Sequence, residues 1–236
     1  MMRALIVDDE IYSRQELEAM LNETGEFIVS GKCANALDAI QAIHREKPDV
    51  LFLDVQMPVI NGFELLDMID QEVMPSVVFV TAYDAYALKA FEENALDYLL
   101  KPVEKERLSK TVEKLKKRFR EGVKPAFSGS DIKKIPCVHS SRIKLINTAE
   151  VEYVRSGETG VYVICQQGEF YTDLTLQVLE NKTGLVRCHK QFLVNIDLMD
   201  EILFRENGAA EVKTKSGRLV PVSRRYLKIL RERLFF

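Results

Sequence analysis

Val50-Leu51-Phe52-Leu53-Asp54 is an apolar run closed by a carboxylate, and the same pattern stands earlier as Ala4-Leu5-Ile6-Val7-Asp8-Asp9. Uninterrupted apolar runs of strand length predict strands buried on both faces. Both runs end in acid, so their carboxyl ends would bring three carboxylates into one pocket. Like charges held together raise one another's pKa unless a cation lies between them. The economical occupant is a hard divalent cation such as Mg²⁺, which takes oxygen ligands and keeps several waters.

Further short apolar runs follow at 27–29, 77–80 and 98–100. Between the runs lie amphipathic stretches: 13–22 with Leu17, Met20 and Leu21 on one face, and 36–46 with Leu37, Ile40 and Ile43. The last, 105–120, places Leu108, Val112, Leu115 and Phe119 at helical spacing. This alternation, repeated five times, predicts a doubly wound, flavodoxin-like α/β domain with a parallel five-stranded sheet. Ligands of such a sheet collect outside the carboxyl ends of its strands. Thr81 follows one run and Lys101-Pro102 another, so Asp8, Asp9, Asp54, Thr81 and Lys101 would surround one pocket.

Charge assigns the roles. Asp8, Asp9 and Asp54 hold Mg²⁺, with the backbone carbonyl of Gln56 as a further ligand. Asp54 is also an oxygen nucleophile toward a phosphoryl donor. Lys101 supplies positive charge to the transferring oxygens, and Thr81 a hydroxyl that follows the phosphate once attached. Tyr83 and Gln56 flank the line along which water would attack, so Tyr83 is expected to slow hydrolysis. Taken singly, each residue is an ordinary cap or turn residue. Their position at the ends of four separate strands is what carries chemistry.

Length and composition set the frame. A chain of 236 residues, 47% apolar and 29% charged, suits two globular domains of about 100–130 residues. No apolar run approaches the roughly 20 residues that span a bilayer, and acid arrives too early for a signal peptide. Direct membrane insertion is therefore not expected. Four scattered cysteines without metal-ligand spacing read as small hydrophobes in a reducing compartment, which points to the cytoplasm. Residues 1–122 carry 15 Lys and Arg against 23 Asp and Glu, whereas 133–236 carry 17 against 12. An acidic half joined to a basic half suggests partners of opposite sign, with nucleic acid a candidate for the second.

The segment 121–132 holds Gly, Pro and Ser without periodicity and reads as a linker between a domain at 1–120 and another at 133–236. Beyond it, short β-branched runs at 143–146, 151–154, 161–165, 169–172, 193–196, 210–213 and 219–222 alternate with turns. Those turns include Ser156-Gly157, Gln167-Gly168, Asn207-Gly208 and Ser216-Gly217. This is a mostly antiparallel β domain with helical pieces at 174–181 and 224–234. Basic residues gather in Arg187-Cys188-His189-Lys190 and in Ser223-Arg224-Arg225, where Ser223 would cap a helix and leave backbone donors for a phosphate. No zinc spacing, phosphate loop or catalytic set appears, so an enzymatic output is not expected. A protein-binding output and an RNA-binding output are the competing readings. The first would lack steep salt dependence, and the second calls for surface aromatics among the basic residues.

Asp8-Asp9, Asp54-x-x-Met57-Pro58-x-x-x-Gly62, Thr81-Ala82 and Lys101-Pro102 resemble the receiver domain of two-component response regulators. The resemblance implies phosphorylation of Asp54 by a sensor histidine kinase and a cis Lys101-Pro102 peptide. It makes Asp9 the direct acidic metal ligand, with Asp8 acting more through water, and Tyr98 the aromatic switch that moves inward when Thr81 turns to the phosphate. Arg-Cys-His-x-x-Phe-x-Val-Asn and Pro-Val-Ser-Arg-Arg-Tyr resemble the LytTR DNA-binding domain of LytR/AlgR-type regulators. Within that family the pattern is similar to that of the BtsR-like members, which are paired with a LytS-type membrane sensor kinase. The resemblance implies that loops enter successive major grooves of double-stranded DNA. The base-contact candidates are the loop Glu158, Thr159, Gly160 and Val161, with Lys190 and Arg224, and His189 and Arg225 nearby. It also implies a homodimer on activation.

Overall fold

The computed structural model describes residues 1–236 apart from 124, 126, 128, 140, 141, 206–209, 235, 236 and the side chain of 139. The expected Asn207-Gly208 turn lies outside the described residues. The chain forms two compact units, Met1–Ser130 and Asp131–Phe236.

The first unit runs β1 (Met2–Val7), α1 (Ile11–Thr24), β2 (Phe27–Cys33), α2 (Ala36–Glu46), β3 (Val50–Leu53), α3 (Gly62–Asp67), β4 (Ser76–Thr81), α4 (Ala87–Glu92), β5 (Asp97–Leu100) and α5 (Lys105–Glu121). Its strands are parallel in the order β2-β1-β3-β4-β5, so the chain reverses its direction of winding between β1 and β3. Leu17, Met20 and Leu21 of α1 and Leu108, Val112 and Leu115 of α5 join Ala4, Ile6, Phe52, Val78, Val80 and Leu99 in one buried cluster. Phe119 departs from the expected stripe and is exposed, because α5 has there run past the sheet to the loops entering β3 and β4.

Side-chain alternation turns the intervening residues to the other face. Phe79 meets Phe63 of α3 at 4.7 Å and Tyr98 of β5 at 6.1 Å between ring centroids. Thr81 continues the Phe79 face toward the pocket. The helices α3 and α4, of six residues each, are too short to show a helical period in the sequence. A capping box fixes the first: Asn61 accepts from the Phe63 and Glu64 N–H groups, and the Glu64 carboxylate accepts from the Asn61 N–H. Gly62 is obligatory, since a Cβ there would sit 2.4 Å from the Asp54 carbonyl oxygen.

Asp97, fully buried at the start of β5, binds α5 to the sheet. It accepts from Arg107 at 2.6 and 2.8 Å, from Thr111 at 2.8 Å and from Lys114 at 2.9 Å. Burial alone would raise its pKa, but these donors outweigh burial and hold the carboxyl well below the usual carboxylate range. A depressed folded pKa gives stability that is complete above the unfolded value near 4 and is lost as pH falls toward the folded one. Asp97→Ala is expected to lower unfolding free energy by roughly 2 kcal/mol at neutral pH, less than for a sealed pair because the cations reach solvent. The difference should shrink in acid, as read by urea denaturation at several pH values.

After α5 the described residues of the expected linker are not a bare spacer. Phe127 is buried, its carbonyl accepts from Gln71 at 3.0 Å, and the Ser130 N–H donates to Asp67 at 2.7 Å.

The second unit runs β6 (Lys134–His139), β7 (Arg142–Asn147), β8 (Val151–Gly157), β9 (Gly160–Cys165), β10 (Gly168–Thr172), α6 (Leu176–Lys182), β11 (Val186–His189), β12 (Phe192–Val194), β13 (Met199–Phe204), β14 (Ala210–Thr214), β15 (Leu219–Val222) and α7 (Arg224–Leu234). A seven-stranded antiparallel sheet has the order β11-β12-β8-β9-β10-β6-β7, and a three-stranded one the order β13-β14-β15. Thr175 caps α6 through the Val178 N–H, so the helix begins later than 174. Buried Glu152 of β8 accepts from the hydroxyls of Thr214 and Ser216 and so ties the two sheets together. A valine-rich core of Val186, Val194, Val212, Val220 and Val222 with Cys188 and Leu230 seats α7 on β11.

Candidate functional site

Asp8, Asp54, Thr81 and Lys101 all stand at the carboxyl ends of parallel strands, on either side of the switch in strand order. The Asp54 N–H donates to the Val7 carbonyl at 2.8 Å and the Lys101 N–H to the Thr81 carbonyl at 2.9 Å, so the ladders themselves set the spacing. Asp8, Asp9 and Asp54 each offer a carboxylate oxygen, and these oxygens lie within 4.8 Å of one another. The Lys101 ammonium bridges Asp8 and Asp54, at 2.7 Å from each. Lys101-Pro102 is cis, as the resemblance implies.

The three carboxylates that could face a metal, Asp8, Asp9 and Asp54, stand against one ammonium, and exposed Glu10 lies 3.9 Å from that same ammonium. Burial raises the pKa of Asp8, with bonds from Lys101 and the Glu10 N–H pulling the other way. Burial would likewise depress Lys101, but its bonds to Asp54 and Asp8 outweigh that and hold the ammonium above its ordinary value. The pocket therefore keeps Lys101 charged and has capacity for further positive charge. The all-oxygen donor set, with two net negative charges, fits Mg²⁺. The Gln56 N–H donates to Asp54 at 3.1 Å, which folds the Gln56 peptide back beside the carboxylate.

Thr81 is fully buried, and its hydroxyl has no hydrogen-bond partner among the described residues. An unpaired buried hydroxyl is costly, which makes a bond to an incoming anion favourable. Tyr98 lies inward: it is buried and its hydroxyl donates to the Tyr83 carbonyl. Burial pushes its phenol up to about 12, so the donor stays protonated. Two features escaped the sequence. The Gln56 amide donates to the Tyr86 hydroxyl at 2.9 Å across the pocket mouth, and the Arg14 guanidinium holds the Asp8 carbonyl. The first spans 30 residues and the second six, and no periodicity marks either.

In the second unit three segments converge on the turn after β11. The Gln191 carbonyl accepts from the Ser156 N–H at 2.8 Å, and the Cys188 carbonyl from the Ser223 N–H at 3.0 Å. Ser223 is the residue from which α7 starts, its carbonyl taking the Tyr226 and Leu227 N–H groups. Lys190 on the turn and Arg224 and Arg225 on the first turn of α7 are exposed, and His189 is half-buried. The His189 ring accepts from the Gln191 N–H through Nδ1 at 3.2 Å, so its orientation is fixed. Burial pushes the Cys188 thiol up to about 12, which suits a core residue and not a nucleophile.

The expected loop over Glu158, Thr159, Gly160 and Val161 is corrected. Glu158 and Thr159 form a two-residue hairpin turn, while Gly160 and Val161 already pair in β9 with Gly157 and Ser156. Gly160 has φ +128° and its face is filled by the Tyr171 ring, so the strand can turn this tightly with no other residue there. The exposed part is Glu158 and Thr159, with the Thr159 hydroxyl 2.8 Å from that of Tyr162.

Residues 4–113 match the family model of the response regulator receiver domain, and 141–235 that of the LytTr DNA-binding domain. The chain is 51% identical over 236 residues to an uncharacterized response regulatory protein of Vibrio cholerae, covering all of both chains. It is 47% identical over 235 residues to the transcriptional regulatory protein BtsR of Escherichia coli K12, covering 98% of each. Among the described residues no helix is long and apolar enough to cross a membrane.

Proposed function

Because the chain belongs to the response regulators that join a receiver to a LytTR DNA-binding domain, non-enzymatic transcription regulators of two-component systems, we propose that phosphorylation of Asp54 switches it on. The observation that carries this is the pocket in which Lys101 bridges Asp54 and Asp8 beside the unpartnered hydroxyl of Thr81. A sensor histidine kinase of the LytS type is the donor. An Asp54 oxygen attacks the phosphorus, the P–N bond of the phosphohistidine breaks, and its electron pair returns to the imidazole. Asp8, Asp9, Asp54 and the Gln56 carbonyl would hold Mg²⁺, whose charge would screen the carboxylate from the phosphoryl oxygens. Lys101 moves from the carboxylate to a phosphoryl oxygen, and the Thr81 hydroxyl donates to another.

The bond Thr81 gains draws its loop toward Asp54, and Tyr98, on the same face of the sheet, relays the change to α4 and β5. There Leu88, Phe91 and Leu100 are exposed, an apolar surface that suits a second copy of the chain. Dimerisation sets two output domains, residues 133–236 beyond the 121–132 linker, on half-sites roughly one turn of ~10 bp apart. The exposed basic residues Lys190, Arg224 and Arg225, with His189 and the turn at Glu158 and Thr159, face double-stranded DNA. The gain from dimerisation is effective concentration and needs no new base contact. Such a regulator works in the cytoplasm.

The test is selection of duplexes from a random pool by the full chain, with and without Mg²⁺ and acetyl phosphate. Enrichment of paired half-sites, stronger after phosphorylation and steeply salt-dependent, is expected. No enrichment in either state sinks the proposal. Tyr83 is half-exposed, and its proposed role is to obstruct the water that would attack phospho-Asp54. Tyr83→Ala should shorten the half-life of phospho-Asp54 several-fold, and an unchanged half-life removes Tyr83 from this role.

A further inference from the structure

Arg187, on β11, sits three residues before Lys190 in a basic stretch of the second unit, and by composition alone it reads as one more phosphate contact. Its geometry is different. The guanidinium is engaged on every nitrogen: Nε donates to Glu180 at 2.8 Å, Nη2 lies 2.7 Å from the same carboxylate oxygen, and Nη1 donates to the Lys190 carbonyl at 3.3 Å. Its side chain is 12% exposed, against 38% for Glu180. Glu180 itself rises from α6, whose Leu176, Val178 and Leu179 are buried. The fork thus links a packed helix to the peptide that carries Lys190.

The turn needs such support. Pairing between β11 and β12 shifts register between Arg187 and His189 and then closes with His189 opposite Phe192, so a bulge lies directly before the Lys190-Gln191 turn, whose own peptide groups take no part in the ladder. The carbonyl of the Lys190–Gln191 peptide is held by a side chain, that of Arg187. The N–H of that same peptide, from Gln191, donates to His189 Nδ1, and the next carbonyl, of Gln191, accepts from the Ser156 N–H.

We infer that Glu180 and Arg187 form a positioning pair that sets the Lys190 turn for sequence-specific DNA contact, and that Arg187 does not itself bind a phosphate. The inference rests on the reading of Lys190 as a base contact. It makes a prediction opposite in sign to simple electrostatics. Removing the acidic charge of Glu180 beside DNA ought to strengthen binding if charge alone mattered. A positioning role requires it to weaken binding. Arg187→Lys keeps the charge and loses the planar fork, so it should fail in the same way.

The experiment uses the full chain and two duplexes, one enriched by the wild-type chain from a random pool and one of scrambled sequence. Glu180→Gln and Arg187→Lys are each expected to lose about tenfold in affinity for the selected duplex, the scale of one misread base pair. Binding to the scrambled duplex and the slope of log affinity against log salt should be unchanged. Thermal melting identifies a variant that has simply unfolded, and the other variant then decides. Wild-type or tighter binding by Glu180→Gln overturns the inference. So does an Arg187→Gln variant that weakens both duplexes alike and reduces the salt slope by about one, the mark of a lost phosphate contact. Lys190→Ala separates the two levels. If it leaves selected-duplex binding intact, the DNA-contact reading has failed; if it weakens binding and Glu180→Gln does not, the positioning inference has failed.

Discussion

Asp54→Asn is expected to abolish phosphoryl incorporation from acetyl phosphate in Mg²⁺, a loss of at least about a hundredfold, because a carboxamide is no nucleophile at neutral pH. The substitution is close to isosteric, and Lys101 keeps its bond to Asp8 at 2.7 Å, so the pocket has no reason to collapse. Converting one of three clustered carboxylates to a neutral amide also relieves repulsion that offsets the lost ion pair. Stability should therefore change by no more than about 1 kcal/mol. The measurement is intact-mass detection of the phosphorylated chain beside a thermal melt. Undiminished phosphate in a folded Asp54→Asn variant would move the acceptor elsewhere and sink the proposed switch. The same variant should bind the selected duplex at its unphosphorylated level whether or not the donor is present.

The receiver half was nearly all legible because its chemistry coincides with its strongest sequence signal. Parallel strands buried on both faces are written as continuous apolar runs, and the residue after each run lies at the ligand-binding edge by construction. Asp8, Asp54, Thr81 and Lys101 could thus be placed together without any tertiary knowledge. Helices α3 and α4 were not legible, since six residues carry less than two turns of pattern. The inward setting of Tyr98 and the Gln56–Tyr86 bond depend on side-chain choices that no spacing records.

The β half was harder for physical reasons. Pro136 within the run 134–139 reads against a strand with neighbours on both sides, yet β6 lies between β10 and β7. The structure accommodates it because β6 pairs with β10 only at Val138 opposite Tyr171, so no ladder bond there calls on the missing N–H, and the Pro136 carbonyl accepts from the Thr172 hydroxyl at 2.8 Å. β13, with Asp200 and Glu201, is too acidic to stand out as an apolar run. The basic cluster was visible as composition, but its division of labour was not. Lys190 and Arg224 end in solvent, whereas Arg187 is turned inward onto Glu180. Charge counts cannot distinguish a cation that faces a partner from one that braces the chain.

That division leads to the second large effect. Lys190→Ala and Arg224→Ala are each expected to lower affinity for the selected duplex by about 1–3 kcal/mol, roughly 5- to 150-fold. Their backbones are joined by the Ser223 N–H to Cys188 carbonyl bond, which neither truncation touches. The two side chains have no shared partner among the described contacts. Their losses should therefore add to within about 0.5 kcal/mol, and the double variant should fall by roughly a thousandfold. Arg225→Ala should cost less, because its guanidinium already lies over the Tyr226 ring at 5.7 Å. A base contact relaxes preference at one position of the site, while a phosphate contact weakens all sequences and lowers the salt slope by about one. Repeating the duplex selection with each single variant separates these two roles. A double variant that binds the selected duplex within twofold of the wild-type chain would show that this surface is not the DNA face.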